Sequence, residues 1–409
     1  MSGRRWLRIV VRAGCLVIAA VLAAGGPLPA LTARAVPGLS PLVVVAAAVT
    51  GRAWYPALFW GIPALAVLGL AVWRGRFFCR WLCPSGTVYS LSARWSLRRR
   101  LLKVPLNGVL FWSILGGALA GVPVLLCLDP LVSFNRIPAL WRAGADAAAW
   151  VPGLLLPLFL VLGAVQPLLW CTHLCPLGYG FDFVHRLRRR RLEPDRTRRE
   201  VVAGLALGVP MAVLAARTVS WLAPRARPQQ TPADLPILPP GAVPVTAFAA
   251  LCVRCYACVH VCPTGVIHVR SRPDRGLARW FRPELDTRTA ICEPECNLCS
   301  RACPSGALRS LTMAAKSRRQ IGVARVRQDA CLAWARGQWC MVCADACPYA
   351  AIAADYGPGD VPRPRVQRNL CRGCGRCQNE CPALLDGQAI VVDGVPEQRG
   401  LRDLASDSV

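Results

Sequence analysis

Residues 371–382, Cys371-Arg372-Gly373-Cys374-Gly375-Arg376-Cys377-Gln378-Asn379-Glu380-Cys381-Pro382, decide how the C-terminal part of this chain folds. They form the run C-x2-C-x2-C-x3-C-P, the ligand spacing of bacterial iron–sulfur proteins. A second copy without deviation is Cys252, Cys255, Cys258 and Cys262-Pro263. Two looser copies lie between them. Cys292, Cys296, Cys299 and Cys303-Pro304 open with x3, and Cys331, Cys340, Cys343 and Cys347-Pro348 open with x8.

The spacing has a chemical reason. Each iron of a cube needs one thiolate, and three cysteines two residues apart lie on one loop that wraps three corners. The fourth, followed by proline, points away to the other cluster of a pair. Sixteen cysteines in four runs therefore specify four [4Fe-4S] clusters in an α+β ferredoxin-like domain of two stacked two-cluster units. Spacing alone leaves open which run pairs with which. The longer openings of runs two and three also leave room for a three-iron or differently liganded cluster. Zinc ribbons use two well-separated C-x2-C pairs and do not match three-plus-one runs. Disulfides favour wider spacing and no fixed Cys-Pro, although an exported domain would permit them.

The N-terminal half has another composition. The 409-residue chain is 54% hydrophobic, with mean hydropathy +0.38, too apolar for an ordinary soluble protein. Stretches near the ~20 residues needed to cross a bilayer run over Ala13–Leu31, Trp54–Trp73, Leu106–Leu128, Val151–Trp170 and Val201–Leu222. The apolar piece Pro41–Val49 is too short to cross and is expected at the interface or as an extension of the second span. The expectation is an all-α bundle of four to five transmembrane helices.

Arginines set the expected orientation. They cluster before the first span, after the second and after the fourth, while the intervening loops carry only Arg34 and Arg52, then Arg136 and Arg142. The positive-inside rule makes the arginine-rich segments cytoplasmic, so everything after Leu222 lies outside. Residues 1–200 hold 24 basic and 6 acidic residues, +18 of the net +27. The charge thus flanks spans and does not form a nucleic-acid-binding face. Thr197-Arg198-Arg199-Glu200-Val201 reads as a twin-arginine export signal ahead of the fifth span, or as plain positive-inside flanks. The expected domains are a four-span membrane domain 1–196, the fifth span 197–223, a proline-rich linker 224–247 and the cluster domain 248–409.

Two further motifs follow spans two and four: Cys79-Arg80-Trp81-Leu82-Cys83-Pro84 and Cys171-Thr172-His173-Leu174-Cys175-Pro176. Both are C-x3-C-P with a glycine two residues after the proline, which marks an internal duplication. C-x3-C is expected to put both sulfurs on one helical face at the cytoplasmic side. The four thiols suit a fifth iron–sulfur site, with redox-active thiols or a non-iron metal as alternatives. Cys15 and Cys127, in apolar spans, read as small buried residues.

On these motifs residues 1–200 resemble the NapH-type membrane subunit of the quinol dehydrogenase that serves periplasmic nitrate reductase. They are also similar to the membrane regulator of nitrous oxide respiration. Residues 197–409 resemble the NapG-type and methylamine-utilisation ferredoxin subunit, so the chain looks like a natural fusion. It departs from the membrane subunit in lacking a cytoplasmic ferredoxin tail with further runs. The resemblance implies an inner-membrane, multi-pass protein with its ferredoxin domain in the periplasm. Electrons would pass from the quinol pool through four clusters to a periplasmic acceptor oxidoreductase. Alternatives are an electron-donating maturation or regulatory protein for a periplasmic metalloenzyme, and an electron-transfer subunit without its own quinol site. Asp129 is a candidate proton acceptor for quinol, or a cap before Pro130; Asp182 and His185 are weaker candidates. No residue is assigned as catalytic.

Overall fold

The structure is a computed structural model. It describes residues 3–24, 29–51, 61–97, 106–119, 126, 128–144, 147–189, 202–208, 235–270, 281–356, 358–383 and 388–400, with a few more positions between 210 and 214. Cys127, residues 197–201 of the twin-arginine-like sequence, the first part of the linker and most of the fifth span lie outside the described residues.

The N-terminal half is helical. Its main helices are α1 (Gly3–Ala24), α2 (Pro29–Gly38), α3 (Pro41–Gly51), α4 (Ile62–Arg74), α5 (Pro84–Ser92), α6 (Asn107–Leu119), α7 (Pro130–Arg142), α8 (Leu155–Val165) and α9 (Pro176–Arg189). Among the described residues, α1 is long and apolar enough to cross a bilayer by itself. The apolar helices α4, α6 and α8 have 13, 13 and 11 residues. At 1.5 Å per residue they reach about 20 Å or less, short of a ~30 Å hydrocarbon core. Prolines punctuate the expected spans, Pro63 in the first turn of α4 and Pro152 ahead of α8. Residues 52–60, between Pro41–Val49 and the helix Ile62–Arg74, lie outside the described residues. Pro41–Val49 pairs with α2, and the two helices meet at a bend of 92°.

Small residues bring the start of the expected fifth span onto the helical half. Gly204 and Gly208, in the helical residues 202–208, lie against Trp112 and Ser113 of α6. A methyl group at Gly208 would stand 2.9 Å from the Ser113 amide nitrogen, so only hydrogen permits the approach.

Among the described residues, the C-terminal half carries three two-stranded antiparallel sheets. β1 (Ile267–Val269) pairs with β2 (Pro283–Leu285), β3 (Gly322–Val326) with β6 (Ile390–Gly394), and β4 (Ile352–Tyr356) with β5 (Pro362–Val366). Short helices between cysteines complete the α+β domain.

Residues 236–243 depart from the expected linker. Ile237, Leu238, Ala242 and Val243 are buried in the core. The Leu285 amide donates to Ile237 O at 2.8 Å, and the Val243 amide to Ala307 O at 3.1 Å. The buried Gln398 side chain donates to Leu238 O and Pro239 O and accepts from the Gly241 amide. Proline content suggested a solvated tether, but the apolar residues between the prolines find a sheet edge to cover.

One apolar core crosses between the halves. It joins Ala33, Val43, Val132 and Ala139 of the helical half to Phe248, Ala257, Val259 and Ala302 of the ferredoxin domain. Helices α2, α3 and α7 make this contact.

Candidate metal centres

The third dimension settles the pairing of runs. Each Cys-Pro cysteine crosses to the partner run. Burial pushes the Cys258 thiol well up, and Cys252, Cys255, Cys303 and Cys299 raise it further by repulsion. Cys252, Cys255, Cys258 and Cys303 thus form site I. Burial and then Cys292, Cys262 and Cys296 act in the same way on Cys299, which defines site II as Cys262, Cys292, Cys296 and Cys299. Cys331, Cys340, Cys343 and Cys381 line one small space, site III. Cys347, Cys371, Cys374 and Cys377 line another, site IV. Run one pairs with run two and run three with run four. The x8 opening of run three leaves Cys340 with its set.

Each set supplies four thiols, the number that the four irons of a cube take. Backbone amides already point at sulfurs: Leu308 to Cys303 and Ala324 to Cys371 at 3.4 Å, and Ala351 to Cys347 at 3.3 Å. Burial followed by neighbouring thiols lifts Cys255 and Cys343 to about 12. The sets therefore favour neutral thiols until a cation draws the sulfurs into the thiolate form.

The sites form a series. Cys299 of site II acts on Cys258 of site I, Cys374 of site IV on Cys292 of site II, and Cys343 of site III on Cys377 of site IV. The order is I, II, IV, III. Tyr349, whose ring lies 5.4 Å from the Arg372 guanidinium, is placed between sites II and IV and feels Cys374 and Cys292.

Site I is set against α7 of the helical half. Asn135 and Arg136 of α7 reach its loop: Asn135 Nδ2 donates to Cys255 O at 3.0 Å, and Arg136 Nε to Arg254 O at 2.9 Å. Sequence reading counted Arg136 only as a loop charge and passed over Asn135. An arginine next to an apolar span was the one available signal.

The C-x3-C-P cysteines also converge. Cys79, Cys83, Cys171 and Cys175 line one cavity of about 370 Å³ with Arg8, Arg12, Arg76, Tyr89 and Trp170. The spaces at sites II, III and IV are only 10–20 Å³. The two sulfurs of a motif do not share one helical face. Cys79 sits in the helical turn Phe77–Trp81, while Cys83 is the N-cap of α5 and accepts from the Gly86 amide at 3.4 Å. Cys171 lies in a π-helical turn, and Cys175 accepts from the Gly178 amide at 3.4 Å. The residue before a proline is driven out of the α region, so Pro84 and Pro176 end one helix and start the next. Arg76 joins the two copies through Asp182 at 2.6 Å and Cys171 O at 3.3 Å.

The motifs do not stand a membrane thickness from the loop after span three. Ser85 Oγ donates to Pro130 O at 2.7 Å, so the start of α7 touches the first motif. Asp129 is wholly buried and caps α7, accepting from the Leu131 and Val132 amides and from Ser40 Oγ at 2.6 Å. Asp182 is paired with Arg76, and His185 Nδ1 lies 3.1 Å from Val72 O. All three candidate proton acceptors thus have structural partners.

Comparison with known proteins agrees with the cysteine reading. A family model described as a 4Fe-4S binding domain matches residues 56–105 and 148–194, one match over each C-x3-C-P motif. A 4Fe-4S dicluster domain matches residues 338–385, and another 4Fe-4S binding domain residues 248–268. The methylamine utilization ferredoxin-type protein MauM of Methylophilus methylotrophus is 34% identical over 178 residues, 42% of this chain and 75% of the relative. That of Paracoccus denitrificans is 32% identical over 192 residues, 45% of this chain and 83% of the relative. The ferredoxin-type protein NapG of Escherichia coli is 34% identical over 164 residues, 38% and 68%. No solved structure matches the chain.

Proposed function

The chain belongs to the family of MauM and NapG ferredoxin-type proteins, and from that premise we propose that it carries electrons from membrane quinol to a periplasmic acceptor oxidoreductase, a nitrate-reductase-type system first. The 4Fe-4S clusters, when bound, supply one-electron carriers into which a two-electron donor can discharge. Sixteen thiols would hold four of them, and Cys79, Cys83, Cys171 and Cys175 a fifth. The helical half takes the part of the quinol dehydrogenase membrane subunit fused to the ferredoxin.

One observation carries this reading: helix α7 runs from the C-x3-C-P cavity to site I. Pro130 at its start touches Ser85, and Asn135 and Arg136 hold the site I loop. Five to six residues at 1.5 Å rise amount to about 8–9 Å along the axis. Sites II, IV and III then follow site I in the series. The cavity suits an apolar aromatic head: Trp170, Tyr89 and Leu168 form its walls, and arginines stand around the cysteines.

The arginine distribution alone supports a periplasmic orientation: the ferredoxin domain rests on α2 and α7, from the two arginine-poor loops, and the positive-inside rule favours those loops outside.

The test uses the full chain in proteoliposomes under anaerobic conditions. A naphthoquinol should bleach the iron–sulfur absorption to the extent that dithionite does. Bleaching by dithionite alone would remove the quinol step and leave an electron-transfer subunit fed by another protein.

A further inference from the structure

Site I stands apart from its counterpart, site IV, in how its loop is held. Run one, Cys252-Val253-Arg254-Cys255-Tyr256-Ala257-Cys258, aligns residue for residue with run four, Cys371-Arg372-Gly373-Cys374-Gly375-Arg376-Cys377. Both loops need the left-handed region at their third and fifth positions. Run four meets the need with Gly373 (φ 73°) and Gly375 (φ 86°). Run one places Arg254 (φ 54°) and Tyr256 (φ 60°) there, where a Cβ meets the following carbonyl and the backbone is strained. Such a conformation persists only where its surroundings hold it.

The holders differ in origin. In run four the carbonyl of Arg372 accepts from the Ile321 amide at 3.0 Å, and that of Cys374 from the Cys292 amide at 2.9 Å. Both donors belong to the ferredoxin domain. In run one the equivalent carbonyls, of Val253 and Cys255, face Arg136 Nη2 at 3.5 Å and Asn135 Nδ2 at 3.0 Å. The carbonyl between them, of Arg254, accepts from Arg136 Nε. Arg136 is 0% exposed, and its third described bond goes to Pro152 O. A buried guanidinium whose described acceptors are carbonyls is costly to keep, and here it lies beside a site that carries negative charge when loaded.

We propose that Asn135 and Arg136 are positioning residues that complete site I from the helical half. In a trans peptide the carbonyl and the next N–H point opposite ways. Fixing the Val253, Arg254 and Cys255 carbonyls on α7 turns the next three amides to the other side, the side of the thiols. The Arg254 amide bonds Cys252 in this arrangement. Site I is then a joint product of both halves, and its cluster forms and keeps its potential only with the ferredoxin domain seated on α7. The inference rests on the reading of the Cys252–Cys258 run as a cluster site.

The experiment compares the full chain, purified anaerobically, with Arg136→Gln, Arg136→Lys and Asn135→Ala by iron analysis and by EPR-monitored redox titration. Arg136→Gln should lose one cluster signal, about four irons, while the remaining signals and the far-UV CD stay as in the parent. Arg136→Lys keeps the charge without the fork, and Asn135→Ala removes one bond; each should lower the midpoint of that one signal. Adding Arg254→Gly to Arg136→Gln should restore at least half of the lost signal, since glycine needs no clamp in the left-handed region. All clusters retained at unchanged midpoints in Arg136→Gln, Arg136→Lys and Asn135→Ala would overturn the proposal, as would no recovery in Arg136→Gln/Arg254→Gly. Should Arg136→Gln not accumulate, the midpoint in the two milder variants decides. A parent chain without iron would instead overturn the cluster reading beneath it.

Discussion

The backbone amide of Cys292 donates to the carbonyl oxygen of Cys374 at 2.9 Å. This hydrogen bond ties a cysteine of candidate site II to a cysteine of candidate site IV, and Thr287 Oγ1 donating to Gln378 Oε1 at 2.8 Å joins the same two regions. Sequence neighbours would have put site III next to site II. Replacing Tyr349, which packs at this junction, with Leu should leave all clusters in place and slow electron exchange between the two pairs. Freeze-quench EPR after partial reduction checks this: equal rates in both proteins would show that the ring plays no part.

The crossed ligands give a second prediction. Cys303 belongs to run two but to site I, and Cys262 to run one but to site II. Cys303→Ser should alter the EPR signal also altered by Arg136→Gln, and Cys262→Ser should spare it. The opposite assignment would mean that each run closes on its own cube.

Gly373 tests the glycine in run four. A Cβ there would stand 2.5 Å from the backbone of Gly322, with φ at 73°. Gly373→Ala should destabilise the chain by roughly 1–3 kcal/mol and deplete the site IV cluster first. Iron content and the chemical-denaturation midpoint report the two effects. The matching change Arg254→Gly in run one should keep its cluster.

Gln398 satisfies three backbone groups of the segment once expected to be a tether. Gln398→Ala removes the described partner of the Leu238 carbonyl and the Gly241 amide, while the Pro239 carbonyl keeps the Ala242 amide at 3.1 Å; the loss is about 1–3 kcal/mol for each group stranded without water. Limited proteolysis should then cut near residues 236–243, where the parent chain resists.

The thiols set the pH behaviour of the iron-free chain. Burial lifts Cys292 from the ordinary 9.0 to about 11, and Cys255 and Cys343 to about 12. Between these values the folded chain holds protons that the unfolded chain has released, so stability falls as pH rises. The iron-free protein should lose thermal stability from about pH 9 towards pH 11, and the loaded protein, whose sulfurs are already thiolates, should not. Parallel melting curves over that window measure the difference.

The iron–sulfur character of the chain could be read from the sequence, because a cube's ligands are recruited from one short loop and their spacing is local information. The C-x3-C-P duplication was legible for the same reason. The exchange of Cys-Pro cysteines itself and a cap at Asp129 before Pro130 were legible, whereas which run exchanges with which, the order of the four sites, and the burial of Ile237 and Leu238 were not. Each depends on contacts between residues far apart in the chain, and hydropathy cannot tell a spanning helix from the shorter, bent pieces that α2, α3 and α4 form. The clamp of α7 on the strained Arg254 and Tyr256 is the clearest case. Local preference argues against that backbone, and bonds to its carbonyls come from residues more than a hundred positions earlier in the chain.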